Sequence, residues 1–130
     1  MNWLIAHRTT VERGLAWFGI FAIVILSVVP ATERPVTGAG QGFEHFAAFA
    51  LVAGTFAIGY RLSLWRLLLL AFLFCGAIEL LQVPLPTRHP RLSDFVIDFF
   101  ASCFAIGLVV FGDKLVGALR LRRQRRKRAT

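Results

Sequence analysis

Four long apolar runs constrain what this chain can fold into. They cover about residues 15–30, 43–60, 64–82 and 94–112, and each approaches the roughly 20 residues that let an α-helix cross the hydrocarbon core of a membrane. The 130 residues are 57% hydrophobic, which is more apolar surface than a soluble domain of this size can bury. The connections between the runs are too short for a second domain. We therefore predict an all-α, integral membrane four-helix bundle that forms one domain over residues 1–130.

Basic residues predict how the helices are oriented. Arg8 and Arg13 precede the first run, Arg61 and Arg66 flank the turn between the second and third runs, and the tail at 113–130 is strongly basic. These segments alternate with the other two connections, and basic loops favour the cytoplasmic side of a membrane. We therefore expect both termini to be cytoplasmic, although the two outer connections also contain three arginines.

Residues 120–128 of the C-terminal tail contain seven of the 15 basic residues in a chain of net charge +8. In a soluble protein this charge would indicate a nucleic-acid partner. Because the tail directly follows a membrane span, we expect it to orient the chain or to contact anionic lipid headgroups. We predict no nucleic-acid partner.

The first apolar run has two interpretations. Its basic flank and its V-V-P-A end, with Val29 and Ala31 at permissive positions, resemble a signal peptide and its cleavage site. Pro30 between them and the length of the run favour an uncleaved first helix. Both alternatives leave Thr32 on the outer side.

Polar side chains are concentrated at the ends of three apolar runs. His45 lies in the first turn of the second run, Glu79 and Gln82 end the third, and Asp94 and Asp98 open the fourth. In the predicted topology all five lie near the outer face, about one helical turn from a helix end. Ionisable groups within a membrane span are costly and are functional-site candidates by default. The acid beside His45, Glu44, is explained by its favourable position at a helix N-terminus.

Two arginines, Arg88 and Arg91, lie in the proline-rich loop between the third and fourth runs. In one interpretation they neutralise the carboxylates and fasten the loop onto the bundle. In the other, they hold an anionic headgroup in a polar pocket that is open to the outer leaflet. A metal site from His45, Glu79 and Asp98 lacks a tight ligand spacing, so we predict neither a metal nor a cofactor.

The order and spacing of these residues resemble the VanZ-like family. The shared pattern reads His45-Phe46, Glu79-x-x-Gln82, Pro86-x-Arg88 and Asp94-x-x-x-Asp98. The resemblance covers about residues 43–107. It implies a small integral protein of the bacterial cytoplasmic membrane, in a family that is named for a protein associated with teicoplanin resistance and whose biochemistry is largely undefined.

The chain departs from the VanZ-like pattern at several positions. Asp98 stands where the family usually has Asn, Ala101 stands where it usually has Gly, and no Lys precedes His45. The additional acid faces Glu79, so either one carboxyl becomes harder to ionise or another cation is needed, and Arg91 is available.

Several functions fit these residues. The first is a binding or accessory protein that recognises a cell-envelope lipid or lipid-linked glycan, alone or with a partner membrane protein. The second is an enzyme in which Glu79 is the general acid or base and His45 or Asp98 is its proton partner. No nucleophile is evident, because Cys75 and Cys103 lie in mid-span. A small-solute carrier and a purely structural membrane subunit are further alternatives.

The predicted topology can be tested by labelling engineered cysteines. We expect a membrane-impermeant maleimide added to intact cells to label Arg88→Cys, whereas Ser63→Cys is labelled only after lysis. The unmodified chain is the control, because its two cysteines lie within spans. Labelling of position 63 but not of position 88 in intact cells would show that the topology is the reverse of the predicted one.

Overall fold

The computed structural model of the protein describes residues 2–30, 33, 38, 40–85 and 91–128. Over these residues the chain is helical and contains no β-strand, so the all-α prediction is confirmed. The four helices are α1 (Asn2–Val28), α2 (Gln41–Tyr60), α3 (Leu64–Gln82) and α4 (Leu92–Arg128).

All four helices contain a segment that is long and apolar enough to cross a membrane. Large apolar side chains cover the outer surface of the bundle, among them Phe18, Leu51 and Leu80. Contiguous exposed apolar surface of this extent is unfavourable in water, whereas acyl chains solvate it. Length, composition and surface together indicate a multi-pass membrane protein.

The middle helices agree with the sequence prediction, whereas the outer two are longer. α1 begins at Asn2 and α4 continues to Arg128, so most of the predicted tail at 113–130 is helical and exposed. The physical reason is composition, because this segment has no proline and is rich in Leu, Arg, Gln and Lys, which favour helix. α1 ends two residues before Pro30, as the restriction on the residue before a proline predicts.

The helices do not pack equally against one another. α2 and α4 share the most extensive interface, α1 packs on α2, and α3 packs on α4, whereas α1 and α3 barely touch. Around the bundle the order is therefore α1, α2, α4, α3, with a gap between the first and the last. The core is made of two clusters of buried residues, which are Ile23, Phe49, Cys75, Ile78 and Ala101 in one and Ala57, Leu67 and Ile106 in the other.

One end of the bundle, which we call the Tyr60 end, fastens α1 to the last turn of α2. The Arg13 Nε–H donates a hydrogen bond of 2.9 Å to the Gly59 carbonyl, and the guanidinium lies 4.9 Å from the centre of the Tyr60 ring. The Trp17 indole N–H donates to the Tyr60 hydroxyl at 2.7 Å. A cation near a helix C-terminus is favoured by the helix dipole, so this contact stabilises the antiparallel α1–α2 pair.

Close packing at this end gives a prediction for Gly59. A Cβ at this position would lie 3.1 Å from Arg13 Cγ and 3.2 Å from the Arg13 backbone nitrogen, which forces α1 away. We expect Gly59→Ala to lower the free energy of unfolding by about 1–3 kcal/mol through overpacking. The measurement is thermal unfolding in detergent micelles.

Gly107→Ala is the matched control, because nothing lies within 4 Å of a Cβ at that position. An alanine there should leave stability unchanged or raise it by about 0.5–1 kcal/mol through helix propensity. Equal changes in the free energy of unfolding for the two variants would show that α1 moves aside without loss of stability.

Candidate functional site

The opposite end of the bundle, which we call the His45 end, holds a buried pair of ionisable side chains. The His45 Nδ1 atom lies 3.1 Å from Asp98 Oδ1 and 3.3 Å from Oδ2. Asp98 is 1% exposed, and His45 is largely buried in the same interface. The pair joins the first turns of α2 to the second turn of α4, the two helices with the most extensive contact.

Burial explains why these two side chains meet. A carboxylate inside an apolar bundle is stable only if it is paired and hydrogen-bonded, and an imidazole N–H is a suitable donor. The His45 ring also stacks on Phe49, with the ring centres 6.3 Å apart. Asp98 and Phe49 thus fix the position and orientation of the imidazole. A carboxylate that orients a histidine in this way selects the Nδ1–H tautomer, which leaves Nε2 as the proton-accepting nitrogen.

Glu79 and Arg91 connect the end of α3 to the beginning of α4. The Arg91 backbone N–H donates to Glu79 Oε2 at 3.1 Å, and the Arg91 side chain is exposed. In one interpretation of the sequence the guanidinium contacts the carboxylates, whereas this contact comes from the backbone. The Asp94 backbone N–H donates to the Arg91 carbonyl at 2.9 Å, so Glu79 and Asp94 meet Arg91 at the end of the bundle where α4 begins, one turn from Asp98.

The remaining predicted residues differ in how deeply they lie. Gln82 is buried one helical turn after Glu79. Asp94 is half-buried, and the Ser93 hydroxyl donates to it at 3.2 Å. Arg88 lies outside the described residues. Within the described part of the chain, no group of three His, Cys, Asp or Glu side chains is placed to hold a metal ion.

A small pocket of about 100 Å³ lies beside His45, between α1 and α2. Its polar lining comes from Ser27, Glu44 and His45. Glu44, which the sequence analysis explained by the helix dipole alone, thus faces the same space as His45. Ser27 was not predicted as a site residue. The only available signal was a hydroxyl near the end of the first apolar run, and its donation to the Ile23 carbonyl at 2.7 Å is an ordinary helix contact.

A second buried hydroxyl group, that of Ser102, lies deeper in the bundle than the His45–Asp98 pair. The Ser102 hydroxyl donates to the Asp98 carbonyl at 2.8 Å, one helical turn below the His45–Asp98 pair. Cys75 is also buried, in the core cluster that contains Ala101, the neighbour of Ser102. The buried polar side chains Gln82, Asp98 and Ser102 thus come from the last turn of α3 and the first three turns of α4.

Fold and site together define the class, which is a multi-pass α-helical membrane protein with a buried acid–histidine pair near one end. No family model, curated protein or solved structure matches the chain. Its likeness to the VanZ-like family therefore depends on the residues of the sequence itself.

The His45–Asp98 contact predicts strong energetic coupling. Removing one member of a buried pair leaves the other uncompensated, so we expect His45→Leu and Asp98→Leu each to lower stability by roughly 3–5 kcal/mol. The double variant should lose less stability than the sum of the losses in the two single variants, with a coupling energy of up to about 3 kcal/mol. Unfolding by SDS titration in mixed micelles measures all three.

The control cycle combines His45→Leu with Asp113→Asn. Asp113 lies on α4, as Asp98 does, but it is exposed and about four turns from Asp98. The stability change caused by Asp113→Asn should therefore add to that caused by His45→Leu. Additive losses in the His45–Asp98 cycle would mean that the two side chains are not energetically paired.

Proposed function

We propose that this chain is a VanZ-like binding or accessory protein of the bacterial cytoplasmic membrane. Its His45 end receives the headgroup of a cell-envelope lipid or lipid-linked glycan at the extracytoplasmic face. The observation that carries the proposal is the buried His45–Asp98 pair beside a small pocket, with Glu79 bound to the start of α4. Both termini are cytoplasmic in this proposal, as the basic segments favour.

Stability alone is a poor explanation for this pair. Replacing a buried ion pair by well-packed apolar residues is often neutral or even stabilising. In a chain of 57% hydrophobic residues, an apolar contact between α2 and α4 was readily available at these two positions. The acid and the imidazole at the core of the largest interface therefore favour a functional role over a purely structural one.

The described side chains indicate the chemistry of the headgroup. Glu44, Glu79 and Asp94 present carboxylates at the His45 end, and an ionised carboxylate only accepts hydrogen bonds. These groups fit a ligand that carries hydroxyl groups, such as a sugar. The pocket of about 100 Å³ is smaller than the cavity of about 150 Å³ that binds benzene, so in this proposal it holds one substituent of a sugar while the rest of the sugar lies at the membrane surface.

The exposed arginine at the start of α4 supplies the complementary contact. Arg91 lies beside the carboxylates but directs its backbone to Glu79, so its guanidinium is available for a phosphate. Arg88 has the same role in this proposal. A lipid-linked glycan carries both groups, a phosphate next to the hydrocarbon chain and hydroxyl groups beyond it.

A catalytic variant of this proposal has one observation in its favour. Asp98 holds His45 through Nδ1, which is the arrangement that prepares an imidazole to act as a general base. In this alternative His45 removes a proton from a hydroxyl group of the bound headgroup, and Asp98 stabilises the imidazolium. The role that the sequence suggested for Glu79 then passes to His45.

Lipid retention tests the proposal. The protein is purified from its native membrane in a mild detergent, and the retained lipids are compared with the bulk membrane by mass spectrometry. We expect one class with a hydroxylated headgroup to be enriched. Glu79→Gln and His45→Gln should each lower this enrichment about tenfold or more, because losing a hydrogen bond to a charged group costs about 1.5–3 kcal/mol.

Glu12→Gln is the control, because this acid lies near the Tyr60 end and should not alter lipid retention. Turnover of the enriched lipid by the purified protein would favour the catalytic alternative. If no class is enriched, or if both site variants retain it fully, the polar pair has a structural role and the binding proposal is wrong.

A further inference from the structure

A large apolar cavity lies between α1 and α3, and its lining reaches from Trp17 to Phe49 and Ser102. Its volume is about 400 Å³, and it occupies the gap that these two helices leave over α2 and α4. Trp17 and Leu70 stand on the two sides of the gap and are 52% and 43% exposed. The cavity is therefore open sideways, toward the acyl chains that surround a membrane protein.

The size of the cavity selects its occupant. It is more than twice as large as the engineered apolar cavity of about 150 Å³ that stays free of water and binds benzene. An α-helix with its side chains is about 10–12 Å wide. A single hydrocarbon chain is narrower and can follow the cavity along its length.

Two arginines lie at the same end of the gap. Arg13 is four residues before Trp17 on α1, and Arg66 is four residues before Leu70 on α3. Residues at this spacing share one face of a helix, so each arginine lies one turn beyond a residue that lines the cavity, on the lining side of its helix. Both belong to the Tyr60 end, where α1 meets the last turn of α2 and the short link leads into α3.

The Arg13 guanidinium is held in place at this mouth. Its Nε–H donates to the Gly59 carbonyl, and the Tyr60 ring lies beneath it. A guanidinium has four further N–H donors, and the side chain is exposed. The amphipathic Trp17 and Tyr60 side chains, joined by a hydrogen bond, are of the kind that lies at the level of lipid headgroups.

We propose that this cavity binds one anionic membrane phospholipid, with an acyl chain between α1 and α3 and the phosphate between Arg13 and Arg66. The site is separate from the His45 end, and its occupant comes from the leaflet at the Tyr60 end. An arginine near the membrane surface favours an anionic lipid by roughly fivefold. The lipid closes the gap that α1 and α3 leave and thereby completes the bundle.

Quenching of Trp17 fluorescence by brominated lipids tests the site. Trp3→Phe and Trp65→Phe make Trp17 the only tryptophan, and the protein is reconstituted in phosphatidylcholine vesicles containing increasing phosphatidylglycerol. The bromine atoms are placed on the acyl chains of either lipid. We expect brominated phosphatidylglycerol to quench Trp17 with at least about fivefold higher apparent affinity than brominated phosphatidylcholine.

Matched variants separate the contribution of the charges from that of the cavity. Arg66→Gln should reduce the preference for phosphatidylglycerol, whereas Arg120→Gln in the exposed tail should not. Ala71→Phe fills the cavity, which Ala71 lines, and should lower quenching by both lipids. Ala77→Phe on the exposed face of the same helix is its control.

Three results would overturn the proposal. The first is equal quenching by both lipids, and the second is a loss of preference in Arg120→Gln as large as in Arg66→Gln. The third is quenching that falls as the protein-to-lipid ratio rises at constant lipid composition, which would assign the gap to a second copy of the chain. None of these results depends on the residues of the His45 end, so this experiment and the lipid-retention experiment test the two proposed sites separately.

Discussion

The lack of water around the spans is the constraint on which the rest of this structure depends. Every polar group inside an apolar bundle has to find its partner in the protein. The backbone meets this requirement by forming helices, and the hydroxyl groups of Ser27, Thr55 and Ser102 meet it by donating to carbonyls one turn earlier. Asp98 is also paired across the bundle with His45, and this contact fixes the register of α4 against α2.

The two ends of the bundle hold charged side chains of opposite sign. At the His45 end, carboxylates are held by an imidazole and by a backbone N–H. At the Tyr60 end, an arginine is held by a helix carbonyl and an aromatic face. The carboxylates of the His45 end suit hydroxyl groups that accompany a phosphate, whereas the arginines of the Tyr60 end suit a phosphate alone. The two proposed ligands therefore differ in their headgroups for a physical reason.

Phe49 lies where these two regions meet. Its buried ring stacks on His45, packs against Phe74, and lines both the small pocket and the large cavity. An aromatic ring at this position separates the small pocket from the large cavity. The weak contact between α1 and α3 makes the large cavity possible, because a closed ring of four helices would leave no such space.

The sequence by itself determined the number of helices and the concentration of polar residues at the ends of three of them. Apolar runs of this length have one stable form in a membrane, so α2 and α3 end close to where the sequence predicted. Hydropathy does not predict the reach of α4 into the basic tail, because hydropathy falls after residue 112 whereas helix propensity continues. Only the tertiary structure decided which polar groups meet. His45 pairs with Asp98, Glu79 receives the Arg91 backbone, and Glu44 and Ser27 join the pocket, because these contacts depend on helix rotation and on the order of the helices around the bundle, which hydropathy does not encode.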